Sequence, residues 1–261
     1  MFRADSDPRQ KAARTPCATR LQRVRRPVLA APLLFPAVLY VACVLPPAAA
    51  GADGFVSLFD GKTLKGWVQH GGKAKYYVAD GMIVGEAVPN TPNSFLCTER
   101  RFSDFILELD FKVDPGLNSG IQIRSNVYDH PTTVEWKTPD GKMRKRTIPA
   151  GRVHGYQVEI DPSPRAYSGG IYDEARRGWL FMLDKNEAAR KAFKQNEWNH
   201  FRIECRGDRI KTWLNGVLAA DLKDDMTRSG FIGLQVHGIG RRKEAIGKKV
   251  RWRNIRIKVL D

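Results

Sequence analysis

The segment Gly155–Pro162 places two carboxylates and an amide on one side of a predicted β-strand. Side chains alternate between the two faces of a strand, so Gln157, Glu159 and Asp161 share one face. The residues between them are apolar and suit a buried core. A carboxylate held on a rigid strand can serve as a general acid or base. For a single strand, a solvated outer face explains the same pattern.

Two other predicted strands divide their residues in the same way. The side chains on their polar faces are amides, Arg and His. These faces lack the Lys, Ser and Thr that are common on ordinary solvent faces. We therefore predict that the polar faces of the three strands line one shallow cleft for a hydroxyl-rich ligand. The polar positions are Gln122 and Arg124 in Gly120–Ser125, and Gln235 and His237 in Phe231–His237.

Amide and aromatic side chains near these strands suit the recognition of a sugar. Tyr172 and Asp173 follow a Gly-Gly bend that can bring them to the cleft. Trp179 can stack on a sugar face, although a buried core Trp fits the sequence equally well. The amides that can bind hydroxyl groups are Asn118, Gln122, Gln157 and Gln235.

The surrounding elements are predicted to be short β-strands separated by turn signals. This pattern favours an all-β fold, a two-sheet antiparallel sandwich of jelly-roll type. Asp104–Val113 alternates most regularly, and Asp184–Phe193 is the one predicted helix. Asn126–Val153 is rich in proline and basic residues. We predict a surface insertion there that covers the cleft, because irregular segments of that length are usually functional or disordered.

Length and composition suffice for one well-cored domain of sandwich or barrel size, or for two small ones. The chain has 261 residues, of which 42% are hydrophobic, and a formal charge of +16. Its first 26 residues hold eight of the basic and two of the acidic side chains. The other basic residues fall in predicted loops and at an edge, and no nucleic-acid-binding motif accompanies them. We therefore predict no nucleic-acid partner.

Residues 1–50 are predicted to be a signal peptide, which leaves 51–261 as the mature domain. A basic segment, Arg20–Arg26, precedes the apolar Val28–Val44, and small residues follow at Ala48–Ala50. The apolar segment contains prolines and is short for a membrane span. We expect a periplasmic or secreted protein. A lipoprotein anchored through Cys43 is the alternative.

The mature domain keeps two cysteines, Cys97 and Cys205. A disulfide between them and two buried free thiols both remain open. The spacing of His, Cys and Asp matches neither a zinc site nor an EF-hand loop. No Gly-rich phosphate or nicotinamide fingerprint occurs, so no cofactor is predicted.

Eight short motifs, in this order, resemble those of the 3-keto-disaccharide hydrolase domain family, long called a domain of unknown function. The resemblance covers nearly all of Gly54–Leu260 and depends on the order and spacing of the motifs together. The motifs are Leu58–Trp67, Asn118–Ile121 with Arg124, Gly155–Asp161, Gly169–Tyr172, Glu197–Asn199, Leu214–Gly216, Gly233–Gly238 and Arg253–Ile257.

The resemblance implies a concanavalin A-like lectin/glucanase sandwich, exported from the cell, that acts on glycosides whose C3 hydroxyl is oxidised to a ketone. The broader fold group often holds calcium, so a structural ion stays open. The ketone acidifies the C2 proton. A base can remove that proton, the group at C1 can leave, and water can then add. Because the chain lacks a nicotinamide fingerprint, the resemblance also implies a separate dehydrogenase that oxidises C3.

This chemistry assigns candidate roles to four residues. Glu159 is the preferred base or acid, and Arg124 can stabilise the enolate oxygen or form an ion pair with Glu159. Asp161 can be a second acid or a metal ligand, although its place before Pro162 also suits a turn. His237 can act as acid or base, because its ordinary pKa lies near neutrality, or it can simply hydrogen-bond at the strand end.

Two other functions remain open. In many family members Glu and Gln are exchanged between the positions of Gln157 and Glu159, which leaves the position of the base open. A non-catalytic carbohydrate-binding module on the same sandwich is therefore the main alternative. A retaining glucanase would need two carboxylates about 5 Å apart, and Pro162–Pro164 supplies no further acid on this face.

Overall fold

The computed structural model describes residues 53–260. The predicted signal peptide and Cys43 lie outside the described residues, so both stay predictions. The described part contains seventeen strands, one α-helix and one 3₁₀-helix. The strands are β1 Val56–Ser57, β2 Trp67–Gly71, β3 Lys75–Ala79, β4 Met82–Glu86, β5 Ser94–Thr98, β6 Phe105–Val113, β7 Ser119–Asn126, β8 Thr132–Lys137, β9 Met143–Ile148, β10 His154–Ile160, β11 Ile171–Glu174, β12 Gly178–Phe181, β13 Asn199–Arg206, β14 Arg209–Leu214, β15 Val217–Lys223, β16 Phe231–Val236 and β17 Lys249–Val259.

Fifteen of these strands form two antiparallel sheets that pack face to face, which confirms the predicted all-β sandwich. One sheet has the order β15-β14-β13-β6-β17-β4-β3, with β1 paired to β17. The other has the order β12-β11-β10-β7-β16-β5-β2 and is called the cleft sheet below. Strands β10, β7 and β16 are adjacent, so the three polar segments identified in the sequence meet at the centre of the cleft sheet.

The core between the sheets determines which side chains face outward. In β6 burial alternates strictly, and Phe105, Leu107, Leu109 and Phe111 are fully buried. The cleft sheet contributes buried side chains from β10 to the same core; they are Tyr156, Val158 and Ile160. Each such side chain stabilises the fold by about 1.5–3 kcal/mol when it is buried. This core fixes the register, so Gln157 and Glu159 point to the opposite, outer face.

A β-bulge in β7 overturns the predicted position of Arg124. The backbone of Arg124 is left-handed, with φ of 47°. Four residues of β7, Ile123–Asn126, lie opposite only three residues of β10, His154–Tyr156. The extra residue reverses the alternation. The Arg124 side chain is fully buried and binds Asp104 at 2.8 Å and the carbonyl oxygens of Ser103 and Gly207. Arg124 therefore does not line the cleft and is not the partner of Glu159.

The insertion Asn126–Val153 is an ordered hairpin and not an irregular segment. Strands β8 and β9 pair with each other as a separate two-stranded sheet, from Thr132↔Ile148 to Lys137↔Met143. Their sequence is polar and basic and lacks a strong apolar alternation, so this pairing was missed.

The predicted helix is confirmed but shorter than Asp184–Phe193: it is α1, Glu187–Ala192. Asn186 caps its first turn by accepting a hydrogen bond from the Ala189 amide at 3.1 Å. Cys97 and Cys205 are buried free thiols, so the disulfide alternative is not formed. In the part of the chain that the structure describes, no helix is both long and apolar enough to cross a membrane.

Candidate active site

A cleft of about 420 Å³ lies on the outer face of the cleft sheet. It combines buried carboxylates, amides, arginines and aromatic rings in one concavity, which suits a polar ligand such as a sugar. The residues that line it are Asn93, Asn118, Arg152, Gln157, Glu159, Arg165, Tyr172, Glu174, Trp179, Gln235 and His237.

Two depressions on the opposite sheet are somewhat larger, at about 490 and 570 Å³. Acidic side chains in both depressions bind partly exposed basic residues, such as Asp110 with His200 and Asp114 with Arg251. Such pairs contribute little and are common on protein surfaces. The cleft differs because its central carboxylate is buried and is held mainly by amides.

Side-chain amides form the floor of the cleft. Gln157 Oε1 accepts hydrogen bonds from Gln122 Nε2 at 2.8 Å and from Gln235 Nε2 at 2.7 Å. Gln157 Nε2 in turn donates to Glu159 Oε2 at 2.8 Å. Ser125 Oγ donates to the Oε1 of Gln122 at 2.7 Å. These bonds orient each amide toward the next, so the floor is fixed before a ligand enters.

Gly120 makes room for this floor. Gly120 pairs with Glu159 on β10 and lies beneath the side chain of Gln157. A Cβ at position 120 would lie 2.5 Å from Gln157 Cδ and 2.6 Å from its Cγ. The absence of a side chain at Gly120 therefore allows Gln157 to lie flat and to reach Glu159.

Glu159 is the central carboxylate of the cleft. It is 4% exposed, accepts a hydrogen bond from Asn118 Nδ2 at 2.7 Å in addition to the one from Gln157, and lies 3.7 Å from Arg165 Nη2. Burial raises the pKa of Glu159 above its ordinary value, although the amide donors and Arg165 oppose the shift. A carboxylate with a raised pKa is a stronger base and is suited to proton transfer.

Two amide oxygen atoms of cleft residues remain free to accept hydrogen bonds. Because a carboxylate only accepts, the Asn118 amide must turn its NH₂ group toward Glu159. Asn118 Oδ1 and Gln235 Oε1 are then buried without a hydrogen-bond partner among residues 53–260. Sugar hydroxyl groups can donate hydrogen bonds to both oxygens. These bonds would remove the free-energy cost of burying two unpaired acceptors.

His237 lines the cleft at the end of β16 with a defined tautomer. Its Nδ1 lies 2.8 Å from the carbonyl oxygen of Gly238, so Nδ1 carries the proton and Nε2 can accept one. Burial lowers the pKa of His237, and the nearby Arg242 lowers it further. Asn93 fixes this loop by accepting a hydrogen bond from the Gly238 amide at 2.9 Å.

One wall of the cleft is aromatic and cationic. The guanidinium of Arg165 lies 5.0 Å from the centre of the Trp179 ring and donates to Asp161 at 2.8 Å. Trp179 also contacts Tyr172 edge to face, with 5.4 Å between the ring centres. The stacking holds Arg165 beside Glu159, so a cation and a buried carboxylate face the same space.

A second carboxylate, Glu174, lies in the same cleft. It is buried and forms an ion pair with Arg152. Burial raises the pKa of Glu174, whereas Arg152 opposes the shift. Because Glu174 pairs with Gly155, it is on the same face of the sheet as Tyr172, which pairs with Gln157.

The structure brings seven of the eleven predicted residues to the cleft: Asn118, Gln157, Glu159, Tyr172, Trp179, Gln235 and His237. Gln122 pairs with Gln157 across β7 and β10, donates a hydrogen bond to it within the floor, and is fully buried. Asp161 forms the strand-end turn that was its alternative role, accepting from Arg165 and from the amides of Ser163 and Tyr167. The prediction that Asp161 is a catalytic acid in the cleft is therefore wrong.

Asp173 was also misplaced. It pairs with Tyr156 and shares the inward face of that residue, where it is fully buried against Arg176 and Arg177. The cleft also contains four residues that the sequence did not indicate: Asn93, Arg152, Arg165 and Glu174. The one local signal was the spacing of Arg165 four residues after Asp161, which indicates a turn that folds back on the strand end.

A family model described as the 3-keto-alpha-glucoside-1,2-lyase-like domain matches residues 54–258. A 3-keto-disaccharide hydrolase from Bacteroides thetaiotaomicron is 26% identical over 248 residues, and the match covers 80% of each chain.

Two solved structures share the fold. A candidate glycosyl hydrolase from Parabacteroides distasonis has a TM-score of 0.50 and 20% identity, covering 80% of this chain and 95% of that one. A Bacillus subtilis protein of unknown function with a galectin-like fold has a TM-score of 0.50 and 11% identity, covering 75% and 90%. At these identities the structures establish the fold alone.

Proposed function

The chain belongs to the 3-keto-alpha-glucoside-1,2-lyase-like domain family, and from this premise we propose that it cleaves glycosides whose C3 hydroxyl has been oxidised to a ketone. The observation that carries the proposal is the buried Glu159 carboxylate, held by two amides beside Arg165 in a cleft of sugar size. A base, a cation and hydroxyl acceptors are the groups that such a reaction needs.

Glu159 is the proposed base for the first step. The C3 ketone acidifies the neighbouring C2 proton, and Glu159 removes it. The electron pair of the C2–H bond moves onto the C3 oxygen to form an enolate. The C1–O bond then breaks as the C1–C2 double bond forms, and protonated Glu159 returns its proton to the departing oxygen. One residue thus serves as base and then as acid.

Arg165 takes the role that the sequence had suggested for Arg124. Its guanidinium lies beside Glu159 and is fixed by Asp161 and Trp179. A cation held in place before the reaction stabilises the negative charge that develops on the C3 oxygen. Hydroxyl groups of the same ring can donate to the free oxygens of Asn118 and Gln235, which would orient the ring.

His237 is the proposed base for the hydration step. Its Nε2 accepts a proton from water as the water oxygen bonds to C1, and the enolate forms again. Protonated His237 then delivers a proton to C2. The two steps together consume one water and release the free 3-keto sugar and the leaving group, while both residues regain their starting protonation.

We also propose that the mature domain is exported, as the sequence predicts. Export of the mature domain would place it where oligosaccharides are degraded. Because the reaction requires a C3 ketone, another protein that oxidises the C3 hydroxyl must act first.

Turnover of a chromogenic 3-keto-glucoside, measured beside its unoxidised parent with protein beginning near Gly51, tests the proposal. We expect cleavage of the keto compound alone. We also expect Glu159→Gln to bind the sugar and to lose about 100- to 10,000-fold in turnover. Cleavage of the unoxidised parent at an equal rate would contradict the proposal.

A carbohydrate-binding module is the second candidate, and one observation favours it. The amides of the cleft floor are suited to hydroxyl recognition without any chemistry. Binding of the keto-glucoside without turnover by the wild type would establish this function in place of the first.

A further inference from the structure

The β8–β9 hairpin presents two different faces. Residues paired directly across an antiparallel ladder point to the same side, and residues two apart on one strand share that side. Val134 pairs with Arg146, and Trp136 pairs with Arg144. We call these four side chains the inner hairpin face. In β8 the even-numbered residues 132–136 are half-buried and the odd-numbered residues 133–137 are exposed, so the β8 side of this face turns toward the body of the domain. On β9, Arg144 and Arg146 are exposed, so their side chains are accessible to a ligand.

Arg146 joins the inner hairpin face to the cleft. Its Nη1 donates to the carbonyl oxygen of Arg176 at 3.1 Å. Burial raises the pKa of Tyr172 and of Glu174, and the charge of Arg146 opposes both shifts; both residues line the cleft. Trp136 and Arg144 lie one alternation further along the hairpin, about 6–7 Å beyond Arg146. The hairpin therefore continues the cleft wall outward.

The two faces differ in charge. The inner hairpin face carries two arginines and no acid. On the outer face, Glu135 lies opposite Lys145, and at the hairpin tip Asp140 binds Lys142 at 2.8 Å. Trp136 packs into none of the hydrophobic clusters of residues 53–260, although its side chain is half-buried. Arg144 and Arg146 form no ion pair among residues 53–260. An aromatic ring flanked by two such cations, next to a sugar-sized cleft, is suited to an acidic ligand with a flat apolar face.

We propose that the inner hairpin face is the subsite for the leaving group, and that it selects a leaving sugar bearing a carboxylate or a sulfate. Trp136 stacks on the sugar ring, and Arg144 and Arg146 bind the acidic group. This inference rests on the proposed function, because it concerns the part of the substrate that departs from C1. It adds a substrate class, acidic 3-keto-disaccharides, that the residues around Glu159 do not define.

Three 3-keto-disaccharides with the same oxidised glucose and different leaving sugars test the inference. The leaving sugars are glucose, glucuronic acid and a glucose sulfate, which separate carboxylate from sulfate recognition. For the wild type at low salt, we expect kcat/KM to be about tenfold higher for at least one acidic substrate than for the neutral one, the effect of one charge-assisted hydrogen bond. The preference should weaken as salt screens the charges.

Arg144→Ala and Lys145→Ala form a matched pair of variants. Each removes one positive charge from adjacent positions on β9, but only Arg144 is on the inner hairpin face. We expect Arg144→Ala to abolish most of the acidic preference and Lys145→Ala to retain it. Trp136→Ala should lower kcat/KM for all three disaccharides and leave a 3-keto-glucoside with a methoxy leaving group unaffected.

Equal kcat/KM for all three disaccharides in the wild type would overturn the inference, and so would an equal loss of preference in both charge variants. These outcomes leave the proposed function intact. If no 3-keto-glycoside is cleaved, the proposed function is wrong. The subsite would then be tested by measuring disaccharide binding by calorimetry. Tighter binding of the unoxidised acidic disaccharide than of the neutral one, lost in Arg144→Ala, would then support the subsite, and equal binding would refute it.

Discussion

Exchanging the acid and the amide on β10 tests which position carries the base. The double variant Gln157→Glu/Glu159→Gln reproduces the order found in many family members. The floor is suited to accept it, because Gln122 and Gln235 already donate to the Oε1 of residue 157. A carboxylate at 157 would accept both of these bonds and a third from the new amide at 159. The fold should therefore tolerate the exchange.

The exchange moves the carboxylate by a defined amount. In the wild type, Gln157 Nε2 and Glu159 Oε2 are 2.8 Å apart, so the charge shifts by at least that distance along the floor. The carboxylate also leaves the position that lies 3.7 Å from Arg165 Nη2. A misplacement of about 1 Å can cost about 100-fold in rate. We therefore expect kcat/KM for a 3-keto-glucoside to fall by at least about 100-fold.

Steady-state kinetics of the double variant provide the test, with thermal unfolding to show that the protein is folded. The single variant Glu159→Gln is the control, since it removes the carboxylate without placing one at 157. If the double variant matched or exceeded the wild type, the base would belong at position 157, and the assignment of Glu159 would be refuted.

The geometry of the cleft sheet also determines a pH profile and the effects of two substitutions. We expect kcat/KM to decrease as the pH falls, because both proposed bases must be unprotonated to act. The pKa of Glu159 lies above the ordinary carboxyl value of 4.5, and the pKa of His237 lies below the ordinary imidazole value of 6.5. A kcat/KM that rises toward acidic pH would contradict these roles. Gly120→Ala should displace Gln157 and lower kcat/KM by about tenfold or more in a folded protein, because the new Cβ would lie 2.5 Å from Gln157 Cδ; unchanged kinetics would show that the floor does not hold the base. Arg124→Met should lower the free energy of unfolding, measured by chemical denaturation, by about 2–3 kcal/mol, because a buried charge-assisted hydrogen-bond network is lost. It should leave kcat/KM unchanged. A large decrease in kcat/KM without destabilisation would show that Arg124 acts in the active site.

Much of the sandwich could be predicted because its signals are local. Asp104–Val113 alternates apolar and polar residues, and the structure forms β6 at Phe105–Val113. The same period placed Gln157, Glu159 and Gln235 on one face, and their strands β10 and β16 lie on either side of β7 in the cleft sheet. A period of two survives folding wherever a continuous core fixes the register.

The parts that could not be predicted depend on distant contacts. In the sequence, Arg124 occupies a polar position of a regular alternating pattern. Only the pairing of β7 with β10 reveals the bulge that turns its side chain inward. Asp173 and Glu174 look equivalent in the sequence. Their pairing with Tyr156 and Gly155 sends one inward and the other into the cleft. Arg165 reaches Glu159 only because the turn after β10 folds back onto the strand.

Proton exchange at C2 tests the central claim most directly. Cleavage of a 3-keto-disaccharide would be run in D₂O and the product examined by NMR at early times, with free product incubated alone to measure spontaneous exchange. Removal of the C2 proton followed by hydration predicts one deuteron at C2 of each product molecule formed, and loss of both cleavage and labelling in Glu159→Gln. Cleavage that leaves the original proton at C2 would contradict the mechanism.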